Sequence, residues 1–227
     1  MYLIKLKEWQ IQHQEYFDYL FYSGNFLSYS ENKKKSDLKE ISNDEAEIGG
    51  LISFLENLSL NIIYVGGNND IPTIFKTPYP TLTLRSINLH NNYHKLEDDL
   101  YLIGFGENIF DDNTLENTFS SFHEYIKEKD KKNIQTILLY NGTPNDKENL
   151  LNNKNKIYEK VINNKKNNIF ININGNINIE KGTTKINDIT IINPCSICEG
   201  EFGILILERD INNNNCWKIQ KMNYLII

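Results

Sequence analysis

Glycine and asparagine recur where predicted β-strands end, and these turns hold the side chains that could do chemistry. In chain order the turns are Ser23–Asn25, Gly67–Asp70, Asn141–Pro144, Asn174–Asn178 and Asn193–Pro194. Ligands of open α/β sheets bind at the carboxyl ends of the strands. Amide oxygens can ligate a hard cation or hydrogen-bond a ligand. The turns therefore predict one polar site built from several strand ends.

Short apolar runs rich in β-branched residues predict the strands that position these turns. Phe17–Tyr22, Asn61–Val65 and Thr136–Tyr140 each lead directly into a turn. These runs alternate with helical or polar stretches, which is the pattern of an α/β sandwich. The remaining predicted strands are Thr81–Ile87, Asp99–Gly104, Ile169–Ile173, Ile189–Ile192, Gly203–Glu208 and Trp217–Leu225.

Apolar residues at helical spacing predict the helices between the strands. A first helix runs through Leu6 and His13, and others are expected at Glu45–Leu58, at Leu115–Lys129 and in a Lys/Asn-rich segment ending near Asn164. No repeat of fixed period and no Pro/Ser-rich linker divides the 227 residues. One domain covering residues 1–227 is therefore expected.

Composition excludes several classes of protein. The 24 lysines and arginines against 30 acidic residues give a net charge of −6, which argues against nucleic acid or an acidic membrane as a partner. No apolar run of about 18 residues and no signal-peptide pattern is present, so a soluble, cytoplasmic protein is expected. The three cysteines argue against a disulfide scaffold. About 35 asparagines stand beside only four histidines, and this imbalance bears on the site.

The series of turns resembles the calcineurin-like metallophosphoesterases. In that family the turns read Gly-Asp, Gly-Asn-His-Asp/Glu, Thr-His-x-Pro, Gly-His-x-His and Asn-Pro-Gly, in the same order. Asn88–His90, followed by a strand and Gly104–Gly106, is also similar to a small, single-domain branch of the family. The resemblance covers roughly Phe17 to Glu208. It implies two packed β-sheets flanked by helices and a site with two transition-metal ions that clamp a phosphate and activate a water.

Residue by residue, the resemblance places asparagine at most of the expected metal ligands. Asn68 matches the family's asparagine ligand. Asn25 stands where the bridging aspartate is expected, and Asn141 stands where a histidine ligand is expected. Asn176 and Asn178 occupy the two histidine positions of Gly-His-x-His.

Asn69 stands where the resemblance expects the histidine that protonates the leaving oxygen. A neutral amide supplies neither the negative charge that bridges two cations nor the imidazole nitrogen that zinc, iron and manganese sites prefer. It also does not titrate near neutral pH and so cannot shuttle a proton. The family's first motif, Asp-x-His after an N-terminal strand, is missing as well, so the domain reads as N-terminally truncated relative to the family.

These substitutions predict a catalytically impaired protein, a pseudoenzyme that serves as a protein-interaction or weak ligand-binding module without a cofactor. The alternative is an active metal-dependent phosphoric ester hydrolase, using manganese, iron or zinc, whose first motif lies upstream of Met1. A third interpretation has a partner protein supply the missing strand.

Other residues that could do chemistry have simpler interpretations. His13 and His123 fall on predicted helices and are expected to be half-buried helix residues. His90 and His94 could share a metal only if their stretch were helical, and it is more typical of a hairpin turn. The pair Cys195 and Cys198, even with Cys216, lacks a fourth zinc ligand, and Lys33–Lys35 is expected in a solvated loop.

Overall fold

Two β-sheets face each other, and helices cover their outer surfaces. This arrangement is seen in a computed structural model that describes residues 2–26, 38–56, 61–67, 70, 86–106, 112–142, 160–175, 182–194 and 199–226. The layers are a helix, a small sheet, a large sheet and a second helix, so the predicted α/β sandwich is confirmed. Within the described residues, no helix has the length and apolar character needed to cross a membrane.

The small sheet is parallel and consists of β1 (Tyr19–Tyr22), β2 (Asn61–Tyr64) and β3 (Ser86–Asn88), in that spatial order. Helix α1 (Tyr2–His13) precedes β1, and helix α2 (Leu38–Glu56) precedes β2. Helix α2 buries residues at spacings of four and seven, namely Ile48, Ile52 and Leu55, against the outer face of this sheet. Its apolar stripe fixes the helix over the sheet.

The large sheet has six strands in the order β4-β5-β6-β7-β9-β8, and its four central strands are parallel to one another. Antiparallel strands β4 and β8 form its two edges. Helix α3 (Asp112–Glu128) lies on its outer face, and a short 3₁₀ helix (Lys165–Asn167) precedes β7. The strands are β4 (Asn92–Glu97), β5 (Leu100–Phe105), β6 (Gln135–Asn141), β7 (Ile169–Gly175), β8 (Gly182–Ile186) and β9 (Ile189–Asn193).

Alternate residues of β6 show how the layers are held together. Ile137 and Leu139 belong to the core between the two sheets, whereas Leu138 and Tyr140 belong to the core beneath α3. A strand that is buried on both faces is apolar at most positions, and in β6 the four consecutive residues Ile137–Tyr140 are apolar. Each such side chain contributes about 1.5 to 3 kcal/mol of burial energy.

A C-terminal hairpin of β10 (Glu201–Asp210) and β11 (Cys216–Ile226) extends the cover over the inner face of the large sheet. Polar contacts of Arg209 and Trp217 with Asp99, which we call the clasp, fix the hairpin to that sheet. Arg209 makes two hydrogen bonds of 2.7 and 2.8 Å to the Asp99 carboxylate, and Trp217 Nε1 donates to the same group at 2.9 Å. The Arg209 guanidinium also lies 4.5 Å from the centre of the Trp217 ring. The hydrogen bonds from Arg209 hold the pKa of Asp99 below its usual value.

Replacing Asp99 by alanine is expected to lower the free energy of unfolding by about 1 to 2 kcal/mol, because Arg209 and Trp217 both lose a charged acceptor. The measurement is urea denaturation, with unfolding monitored by tryptophan fluorescence. Asp98→Ala is a matched control, since Asp98 is exposed and pairs with two surface lysines. Equal midpoints for the two variants would show that the clasp does not stabilise the hairpin.

The structure departs from the sequence predictions at a few elements. Strands β4 and β8 were not predicted, and the expected hairpin turn around His90 and His94 is instead the end of β3 followed by β4. Helix α2 begins at Leu38, ahead of the predicted Glu45. Residues 81–85 of one predicted strand and most of the predicted Lys/Asn-rich helix lie outside the described residues.

Candidate functional site

The carboxyl ends of strands from both sheets meet at one edge of the sandwich, and four of the five predicted turns supply the contacts described below. The fifth turn, Asn193–Pro194, follows β9, which pairs with β7. We call the residues gathered there the turn cluster: Ser23–Asn25, Gly66–Gly67, Asp70, His90, Asn141–Gly142 and Gly175. Three kinds of contact hold it together. Asp70 joins two turns of the small sheet, and Asn141 joins the two sheets. His90 bonds the backbone of Gly66, after β2, and pairs with Gly104 of the large sheet.

Asp70 is a buried carboxylate, with 1% of its surface exposed. Its Oδ2 accepts hydrogen bonds from the backbone N–H groups of Asn25 at 2.9 Å and Gly67 at 2.8 Å. Asn25 has a φ of +61°, a left-handed conformation that asparagine tolerates better than most residues. The carboxylate therefore fixes the turn after β1 against the turn after β2.

Asn141 is the last residue of β6 and is fully buried. Its Nδ2 donates a hydrogen bond to the carbonyl oxygen of Ser23, at the end of β1. Next to it, the Gly142 N–H donates to the Gly175 carbonyl at 3.2 Å. The asparagine side chain thus links the large sheet to the small one.

Glycine at position 24 is required by this contact. Gly24 has a φ of +93°, and a Cβ there would lie 2.6 Å from Asn141 Nδ2. Both the backbone conformation and the close approach exclude other residues. The Ser-Gly-Asn turn of the sequence is therefore explained by how closely the two sheets approach each other.

His90 lies just after β3 and is 4% exposed. Its Nδ1 accepts a hydrogen bond from the Gly66 N–H at 3.2 Å, so the ring proton of the neutral form is on Nε2. Burial lowers the pKa of His90 to about 4, which keeps the ring neutral near pH 7. A β-bridge to Gly104 ties this residue to the large sheet.

The other histidines lie elsewhere. His94 is in β4, where partial burial lowers its pKa, and a strand does not place it beside His90 as a helix would. His13 stacks on Trp9 and is exposed on α1, so the prediction that it is half-buried is wrong. His123 is on α3 with its ring near Phe119 and Phe122, and burial lowers its pKa.

The structure describes two of the six asparagine positions that the resemblance selects. Asn25 and Asn141 both belong to the turn cluster. Asn68, Asn69, Asn176 and Asn178 lie outside the described residues, as do Cys195, Cys198 and Lys33–Lys35. Cys216 is a free, partly exposed cysteine in β11.

Sequence reasoning missed the part that Asp70 and His90 play in this cluster. Asp70 is the last residue of the second turn, and a carboxylate among amides there could have predicted a role in binding backbone N–H groups. His90 belongs to the Asn88–His90 motif on which the resemblance also rests, but no role in the site was predicted for it. Its place in the cluster depends on the parallel pairing of β3 beside β2.

The described donors do not fit the two-metal centre that the resemblance implies. The Asp70 oxygen that faces the turns already accepts two N–H groups, and His90 Nδ1 already accepts one. Asn141 turns its nitrogen, which cannot ligate a cation, toward Ser23, and this leaves it one neutral oxygen to offer a metal. Among the described residues, no group of three His, Cys, Asp or Glu side chains could hold a metal ion.

A polar cavity of about 300 Å³ lies between β4 and α3, near the same edge of the large sheet. Amide, hydroxyl and phenol groups line it, and none of its lining residues is charged. The ring of Tyr93 is held there by contacts with Phe122 and Tyr125. The lining residues are Asn91, Asn92, Tyr93, Thr114, Asn117, Thr118 and Ser121.

Comparison with known proteins shows the fold and no more. No family model and no curated protein matches the chain. One solved crystal structure superposes with a TM-score of 0.65 at 18% sequence identity, covering 97% of this chain and 93% of its own. The crystal structure of TT1561 of Thermus thermophilus superposes with a TM-score of 0.62 at 15% identity, covering 99% and 92%. Both matches run the length of the sandwich and agree with its α/β architecture.

Proposed function

We propose that the chain is a calcineurin-like metallophosphoesterase-fold protein whose metal site has degenerated, and that it acts as a protein-interaction or weak ligand-binding module. The observation that carries the proposal is the hydrogen bond from Asn141 to Ser23. It lies where turns from both sheets meet, at a position where the resemblance expects a histidine ligand. A side chain that bonds the backbone through its nitrogen offers a metal one neutral oxygen in place of an imidazole nitrogen.

The chemistry of the cluster supports the loss of catalysis. Hydrolysis of a phosphate ester by two metal ions needs negative and imidazole ligands to hold the ions, and needs a group that can protonate the leaving oxygen. The amides of Asn25 and Asn141 supply neither. The neutral, buried ring of His90 is bonded to the backbone of Gly66.

The test is hydrolysis of bis(p-nitrophenyl) phosphate by the purified protein with added manganese. We expect no turnover above that of an Asn68→Ala variant, because the remaining amide ligands bind manganese too weakly to activate a water. Elemental analysis of the same sample should find manganese, iron and zinc far below stoichiometric amounts. Hydrolysis that is abolished by Asn68→Ala would refute the proposal.

A second candidate is an active phosphoric ester hydrolase, using manganese, iron or zinc, completed by a strand and an Asp-x-His motif encoded upstream of Met1. It is favoured by β1, which pairs with β2 and with no other described strand. The sequence of β1, Tyr-Leu-Phe-Tyr, lacks the charges and prolines that protect edge strands. Transcript sequencing across the start codon separates the candidates: an in-frame upstream segment encoding both features would favour the enzyme.

A further inference from the structure

We propose that the hydrogen bond from Asn141 to Ser23 is a structural staple that holds the two sheets together at the turn cluster, in the place where a metal ion would otherwise join the turns. The inference rests on the proposed function. It adds that asparagine at this position is needed for stability, so that an acidic ligand introduced there does not create a metal site.

The surroundings of Asn141 allow only a hydrogen-bond donor toward Ser23. The carbonyl oxygen of Ser23 is an acceptor, so the atom that faces it must carry a hydrogen. The amide nitrogen satisfies this condition. An ionised carboxylate in the same position would set oxygen against oxygen in a buried site, at a large cost in free energy.

The staple is supported on both sides by close contacts. Gly24 leaves room for the amide, since a Cβ at that position would lie 2.6 Å from Asn141 Nδ2. Gly175, at the end of β7, approaches Ser23 so closely that a Cβ there would collide with it. The Ser23 carbonyl is thus enclosed by the ends of β6 and β7, and Asn141 supplies its hydrogen bond.

Further hydrogen bonds connect the turn that contains Ser23 to the next turn of the small sheet. Ser23 is two residues before Asn25, whose N–H is bound by Asp70. Asp70 in turn binds the N–H of Gly67, in the turn after β2. Side chains that bond backbone groups therefore connect three turns from two sheets, and the staple is one link of this network.

The experiment compares melting temperatures of the wild type, Asn141→Asp and Asn141→Ala at about pH 8 and about pH 5, each with and without millimolar manganese. At the higher pH both variants should melt roughly 5 to 10 °C below the wild type, because a buried carbonyl loses its donor. Asn213→Asp makes the same amide-to-acid change at an exposed residue of the turn between β10 and β11 and should melt like the wild type.

The melting temperature of Asn141→Asp at the lower pH distinguishes the loss of a hydrogen-bond donor from a general packing defect. A protonated carboxyl can donate its O–H to the Ser23 carbonyl, so Asn141→Asp should recover at least half of its deficit at the lower pH, relative to the wild type at that pH. Asn141→Ala has no donor in either form and should keep its full deficit. Neither variant should be stabilised by manganese.

The remaining outcomes test the staple and the proposed function separately. If Asn141→Asp melts with the wild type at the higher pH, or shows the same deficit at both pH values, the staple is refuted. If manganese stabilises Asn141→Asp but not the wild type, the position is a latent metal ligand, and the inference fails while the proposed function stands. If manganese stabilises the wild type itself, the proposed function fails.

Discussion

Replacing Asp70 by alanine is expected to lower the free energy of unfolding by about 3 to 5 kcal/mol. The carboxylate is buried and accepts N–H groups from two different turns, those of Asn25 and Gly67. Hydrogen bonds to a charged group contribute about 1.5 to 3 kcal/mol each, and alanine would leave two buried N–H groups without their acceptor. Urea denaturation at neutral pH measures the loss.

The isosteric variant Asp70→Asn separates the hydrogen bonds from the charge. Its single amide oxygen can still accept both N–H groups, so the expected loss is smaller, about 1 to 2 kcal/mol. Asp188→Ala removes an exposed carboxylate from the turn between β8 and β9 and should leave the unfolding midpoint unchanged. If Asp70→Ala were no less stable than Asp188→Ala, Asp70 would not hold the turns together.

The sequence predicts the parts of the fold that are buried on both faces. The run Thr136–Tyr140 is apolar at almost every position because β6 has a core on each side. Strands β4 and β8 were missed because they are partly exposed edge strands with polar residues at many positions. They are strands because they pair with β5 and β9, and a single run of residues does not reveal its partner.

The convergence of the turns was predictable, and their bonding was not. Parallel strands bring their carboxyl ends to one edge, so the order of Gly and Asn turns was enough to place them together. Which atom of Asn141 faces Ser23, and which N–H groups Asp70 accepts, depends on how closely the two sheets approach. Spacing along the chain contains no information on that distance. The same limit explains why His90 was expected in a hairpin turn and was given no role in the site.

In our proposal, hydrogen bonds to the backbone explain why the cluster can persist after the loss of catalysis. Asp70, His90 and Asn141 each bond a backbone group. An unsatisfied buried polar atom is destabilising, and these bonds satisfy Asp70 Oδ2, His90 Nδ1 and Asn141 Nδ2. In our proposal the edge is therefore a stable surface, available for recognition and not for hydrolysis.

Acid is expected to destabilise the protein through His90, by about 3 kcal/mol between pH 7 and pH 4. The pKa of His90 is lowered by burial to about 4 in the folded protein, against about 6.5 for histidine in an unfolded chain. As the pH falls through this interval the unfolded state binds a proton and the folded state does not. The stability that a neutral His90 contributes is thus fully present above about pH 6.5 and is lost on approach to about pH 4.

The variant His90→Asn isolates this effect from the titration of the carboxylates. Its side-chain oxygen can accept the Gly66 N–H in place of Nδ1, and it does not titrate. The variant is expected to be less stable than the wild type near pH 7, because the smaller side chain leaves part of the ring's space empty. Between pH 7 and pH 4 the free energy of unfolding of the wild type should fall by about 3 kcal/mol more than that of His90→Asn. The difference between the two proteins should therefore narrow or reverse. A constant difference across the interval, or an NMR titration of the His90 ring with a midpoint near 6.5, would show that the ring is not held neutral by burial.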